Sequence, residues 1–157
     1  MRNKREFTAV FRLAALLLAV ILVVPTGAKA ATAPTVEPYA SDHLSSYRAH
    51  ISPGANGKIQ VHFSVMGKYE MDSIGALDIT VFHSIDNVNW IQYKYYSHDD
   101  YPSLLNYNTN YHSGYIECQG GIGMYYQAKV TIWGGNGSDG TMRYLWTSVK
   151  QAVQSPS

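Results

Sequence analysis

Cysteine is almost absent from this 157-residue chain: Cys118 stands alone. No intramolecular disulfide can form, and a thiolate-rich metal site is excluded with it. The lone thiol is left with two roles, a cross-link between two chains or a buried small apolar group. Long apolar runs are equally scarce. The one that stands out, residues 13–24, is twelve residues long, too short to span a bilayer comfortably. No later run approaches ~18 apolar residues, so no membrane contact is expected beyond the N-terminal segment. Helical periodicity is missing after residue 30, and with it any Gly-rich phosphate loop opening a helix. No Gly-x-Ser-x-Gly elbow occurs, and the acids, Asp99, Asp100 and Glu117 among them, show no pairing of the kind glycoside hydrolysis needs. The chain therefore does not read as an enzyme; a small secreted hydrolase is the remaining catalytic alternative.

The N-terminus has the layout of an export signal. Arg2, Lys4 and Arg5 precede the apolar run, Pro25 and Gly27 break it, and Ala28 and Ala30 supply the small residues a signal peptidase requires. Residues 1–30 are read as a signal peptide cleaved between Ala30 and Ala31, leaving 127 residues to be secreted. The leader holds five of the twelve basic residues and one of the eleven acids, so the remainder has seven basic and ten acidic groups, a formal charge of −3. That balance offers no basic patch, and no nucleic-acid partner is expected. Neither a lipoprotein cysteine after the leader nor a wall-sorting tail is present, so free release is the expectation.

Residues 31–45 are rich in Ala, Thr and Pro and read as a flexible lead-in. Over 58–66, Ile59, Val61, Phe63 and Val65 alternate with Lys58, Gln60, His62 and Ser64, the two-residue rhythm of a half-buried strand. Turn chemistry at 53–57 implies a preceding strand over 47–52. Further strands are read over 77–82, 90–96, 115–118, 126–132 and 142–149. Residues 84–89 form a turn, 97–113 a long insertion tucked down by Leu104 and Leu105, and the Gly-rich 134–140 a loop. About seven strands between Gly/Asn/Asp turns predict an all-β, two-layer antiparallel sandwich over 46–150, followed by a disordered tail at 151–157. A closed barrel is the second choice.

Residues 123–130, Gly-Met-Tyr-Tyr-Gln-Ala-Lys-Val, resemble the sixth strand of immunoglobulin-like and fibronectin type III-like sandwiches. Tyr126 lies two residues before Ala128, which takes the place of the disulfide cysteine in antibody-type domains. The resemblance implies that the Tyr126 hydroxyl caps the preceding corner while its ring is buried. Residues 84–90 are similar to the Ser-x-Asp-Gly-x-x-Trp turn of bacterial extracellular sandwiches, with Asn87 in the glycine position; Asn tolerates the left-handed backbone required there. Leader and sandwich together resemble small secreted Gram-positive bacterial proteins of unassigned activity. The absent cysteine pair sets the chain apart from antibody-type domains.

Aromatic residues carry the functional hint. All 13 Tyr and all 3 Trp follow the leader, against only Phe63 and Phe82. Packing alone does not favour Tyr so heavily, since a buried hydroxyl needs a partner. Outer strand faces use Tyr for its β-propensity, whereas exposed rings among Asn and Ser suit stacking on sugars or packing on a protein. Tyr93, Tyr95, Tyr125 and Trp133 fall opposite the inner sets or near strand ends, and Tyr101, Tyr107 and Tyr111 lie in the insertion. The candidate ligand-binding residues are Trp90, Tyr93, Tyr95, Tyr101, Tyr107 and Tyr111. The expected partner is an extracellular glycan or cell-envelope polymer, with another secreted or surface protein as the alternative. No cofactor is expected. His98, Asp99 and Asp100, or His83 with His112, are the weak alternatives for a metal, without regular ligand spacing.

Overall fold

The alternation over 58–66 does produce a strand, but the strand continues well past the point where its periodicity breaks. In the computed structural model, which describes residues 43–154, β2 runs from Lys58 to Ser84. Its buried apolar side chains are Ile59, Val61, Phe63, Val65 and Met71, then Ile74 and Ala76, then Ile79 and Val81. Register shifts accompany the changes of parity. Between Met66 and Met71, just ahead of the change at Ile74, the pairing to β4 moves only from Tyr111 to Thr109, and at the second change Leu77 is skipped between the pairs Ala76–Ile132 and Asp78–Thr131. Extra residues of this kind bend a strand and increase its twist. Two such irregularities let one strand serve both halves of the sheet.

The remaining strands are β1 (Leu44–Pro53), β3 (Ile91–Ser97), β4 (Leu105–Gln119), β5 (Tyr125–Asn136), β6 (Asp139–Trp146) and β7 (Lys150–Gln151). Every pairing is antiparallel, and all seven strands hydrogen-bond into one curled sheet. Along one edge of β2 lie β1 and then β5; along the other lie β4 and then β3. The far edge of β5 carries β6 and β7. The curl brings Leu44 of β1 against Gly134 of β5 and His43 against Thr141, with Nδ1 3.1 Å from the threonine hydroxyl. Aliphatic side chains from both halves thereby share one core, with Cys118 buried inside it.

Two segments depart from expectation. The insertion expected over 97–113 is mostly strand: only 98–104 leaves the sheet, and β4 then pairs with β2 from Gly75 to Lys58. The rhythm fails at 106–113 because this part of β4 buries no side chain deeply, so selection for alternating apolar residues is absent. Leu104 and Leu105 do tuck inward. Gly75, at φ +152°, lets Leu104 close in, because a Cβ there would strike the Leu104 carbonyl oxygen. The glycines at 134–140 likewise form a tight hairpin rather than a loop. Gly134–Thr141 and Gly135–Gly140 are paired across β5 and β6, and the Trp133 ring occupies the space a Cβ at Gly140 would need.

The ends also differ. β1 starts at Leu44 inside the expected lead-in. Residues 150–152 belong to the fold rather than to a tail: β7 pairs with Tyr125 and Tyr126, and Ala152 is buried with both backbone groups bonded to 123–124. The signal segment 1–30, the Ala30–Ala31 junction, residues 31–42 and the last residues 155–157 lie outside the described residues.

Candidate recognition surfaces

The corner before β5 is fixed by Tyr126. Its ring has no solvent exposure, and its hydroxyl accepts the Gly121 N–H at 2.7 Å. The turn at 84–90 is organised by Asp86, whose carboxylate accepts from Ser84 Oγ, the Val88 and Asn89 amides and Asn89 Nδ2 at 2.6–2.9 Å. These hydrogen bonds, the Asn89 amide first, hold the Asp86 carboxyl well below the usual carboxylate range. Asn87 takes φ 60°, the left-handed backbone expected of it.

The six candidate aromatics do not converge. Tyr95 lies on the outer face of β3 opposite Thr80 and is 55% exposed. Tyr111 sits on β4 opposite Met66, and Tyr107 further along β4 opposite Ser73. Tyr101, in the excursion before β4, packs edge-on against Tyr96 with centroids 5.0 Å apart. Trp90 is half-buried at the end of the Asp86 turn. Tyr93 is structural. It stacks on His83 at 4.9 Å, packs against the core and donates its hydroxyl to the Gln119 carbonyl at 2.5 Å.

A different set does share a surface. On the outer face of the second half, one row runs Tyr95, Thr80, Lys129, Trp146, and the next Ser97, Asp78, Thr131, Tyr144. Phe82 lies beside them, its ring 5.4 Å from that of Trp146. Tyr144 is 61% and Trp146 43% exposed. Lys129 Nζ stands 4.8 Å from the Tyr144 ring centroid, and Thr131 Oγ1 donates to Asp78 at 3.0 Å. From β3 to β6 this face covers three strand spacings, roughly 14 Å. Tyr144 and Trp146 were not among the candidates. Their signal was parity: in 142–146 they fall opposite the buried Leu145.

The first half has a different outer face. His50, His62 and Tyr115 form one cross-strand row over β1, β2 and β4, and Arg48, Ser64 and Ser113 the next. The two imidazoles stack at 4.7 Å with planes 5° apart. Burial, then the neighbouring His50, holds His62 below its ordinary pKa. Glu117 sits at one end, bonded to Lys58 at 2.8 Å and Gln60 at 3.0 Å.

Among the described residues, no three His, Cys, Asp or Glu side chains gather as metal ligands. His112 and His83 fall in different parts of the sheet, opposite Val65 and Tyr126 respectively. His112 Nε2 lies 2.9 Å from the Ser103 carbonyl oxygen. His98 Nε2 and Asp99 are 3.5 Å apart in the excursion. The Cys118 thiol is pushed up by burial, so it is both hidden and poorly nucleophilic. No known family model matches the chain, and no curated protein matches it.

Proposed function

We propose that the chain is an exported, non-catalytic recognition module that binds extracellular glycan or cell-envelope polysaccharide across the outer face of β3, β2, β5 and β6. The observation that carries this reading is the exposure of Tyr95, Tyr144 and Trp146 on one four-stranded face, beside Phe82. Flat rings offer apolar planes to the C–H faces of sugars, while Lys129 and Gln127 in the same sheet rows supply hydrogen bonds to hydroxyls. We place the curled sheet with immunoglobulin-like sandwiches; the Tyr126 cap and the Asn87 turn support that grouping. The basic start, apolar run and small residues read over 1–30 as an export signal support secretion.

The test is retention of the secreted chain on cellulose, chitin, xylan and purified peptidoglycan, with titration by the matching soluble oligosaccharides. Trp146→Ala and Tyr144→Ala should each weaken binding at least about tenfold, the ~1.4 kcal/mol expected of a central aromatic contact. Absence of retention on every polymer, or retention indifferent to both substitutions, overturns the reading.

A second reading, protein–protein assembly, is favoured by one end of the fold. Ile85, Val88 and Ile91 are 82%, 73% and 64% exposed there, beside a cleft of about 350 Å³ that also touches Met124. Exposed aliphatic clusters of this kind mark contact surfaces.

A further inference from the structure

The outer face of β1, the first half of β2 and β4 presents donors that no hydrogen-bond acceptor among the described residues meets. Arg48, His50, His62, Ser64, Ser113 and Tyr115 line a groove of about 330 Å³. Among the described residues no hydrogen bond or ion pair ties any of these six side chains; His62 stacks on His50 and packs, tilted by 30°, against Tyr115. In the two rows these side chains occupy and the rows flanking them, Ser46–Met66–Tyr111 and Ser52–Gln60–Glu117, the one carboxylate is Glu117, and it is already committed to Lys58 and Gln60. A groove with a guanidinium, two imidazoles and three hydroxyls, and no free acid, is complementary to an anion.

We propose that this groove is an oxyanion site, taking a phosphodiester or carboxylate group carried by an extracellular polymer. Arg48 supplies the permanent charge and its planar fork of N–H donors. Ser64 and Ser113, in the same cross-strand row as Arg48, supply hydroxyl donors, and Tyr115 a third. The histidine pair makes the site responsive to pH. Burial and repulsion from His50, whose ring centroid lies 4.7 Å away, disfavour charge on the His62 ring without an anion. A bound oxyanion offsets that repulsion, so binding takes up protons and tightens as pH falls through the histidine range. The other charged groups facing the pair are Arg48 on β1, Lys58 on β2 and Glu117 on β4. Lys58 and Glu117 cancel each other while the glutamate is ionised. Hydrogen bonds from Lys58 and Gln60 keep its carboxyl below the ordinary range, so Glu117 stays charged through the window of the test.

The site shares no residue with the aromatic face, so its failure and that of neutral-glycan binding are separable. The probes are a glycerol-phosphodiester oligomer and a galacturonate trimer, whose charges do not change between about pH 5.5 and 7.5. Binding is followed by the histidine ring resonances of the secreted chain at low salt. Saturable binding of at least one probe is expected at the lower pH, weakening about fivefold at the higher, a change of the size one screened charge contributes at close range. Arg48→Ala should cost about tenfold at both pH values. His50→Gln with His62→Gln should abolish the pH dependence. Binding of one probe alone names the chemical source of the anion. All six side chains lie on the outer face, so the variants should keep the wild-type melting temperature; Ser64→Ala with Ser113→Ala gives a milder second test. Absence of saturation by both probes at the lower pH, or binding indifferent to Arg48→Ala or to pH, overturns the proposal.

Discussion

Tyr126→Phe isolates one oxygen atom in the described fold. The ring is fully buried, and phenylalanine keeps its shape, so hydrophobic burial and packing are retained. What is lost is the acceptor for the Gly121 N–H at 2.7 Å. The hydroxyl's own donation, to Met124 Sδ at 3.9 Å, is too long and too weakly accepting to matter much. A buried amide left without a partner costs about 1–3 kcal/mol. Gly121 itself is exposed, so water can reach its amide in the variant, and the cost falls at the low end, about 1–1.5 kcal/mol. For a fold of this size that corresponds to a melting temperature lowered by about 4–6 °C. Urea unfolding followed by circular dichroism should show a lower midpoint with an unchanged slope, since the surface exposed on unfolding is the same. Tyr126→Ala removes the ring as well and should cost about 3–5 kcal/mol. A Phe variant as stable as the wild type would mean the corner is held by something other than the hydroxyl. A Phe variant as damaged as the Ala variant would mean the ring is not packed as described.

Alkaline titration gives a related prediction. Burial raises the pKa of Tyr96 to about 12 and raises that of Tyr126 above the ordinary 10.0. A folded-state pKa above the unfolded value means stability is complete below pH 10 and is lost as pH rises toward 12. Tyr96→Phe should flatten that loss in a pH series of thermal melts; an unchanged alkaline limb would contradict the burial argument. Asp86 has the opposite sign. Its depressed pKa contributes stability above the usual carboxylate range that is lost as pH falls, so Asp86→Ala should speed amide exchange at Val88 and Asn89 at neutral pH. Unaltered exchange there would remove the Asp86 anchor.

Local chemistry made much of the fold legible. The alternation of Ile59, Val61, Phe63 and Val65 marked both the strand and its inner face, because a pleated backbone turns successive side chains to opposite sides. Asn87 and Tyr126 occupy the turn and corner positions expected of them because both are determined within a few residues. The single long β2 was hidden at its two irregularities, where extra residues invert the periodicity a reader follows. The edge of β4 was hidden because a strand exposed along most of 106–113 carries no burial pattern. Glycines 134, 135 and 140 looked like a loop, yet they are small because Leu44 and Trp133 occupy the space beside them.

The same division runs through the two surfaces. Composition showed that tyrosines outnumber what a core requires, and parity separates Tyr144 and Trp146 from the buried Leu145. Which rings meet is a matter of strand order, and strand order arises from contacts between residues far apart in the chain. Tyr95 joins Trp146 only because β2 and β5 stand between them, and Arg48 joins Ser113 only across β2. Sequence alone determined the β-rhythm and the chemistry of each turn, since both depend on neighbouring residues. Tertiary structure decided which aromatic and basic side chains share a face, because register and curl depend on how the whole sheet closes over its core.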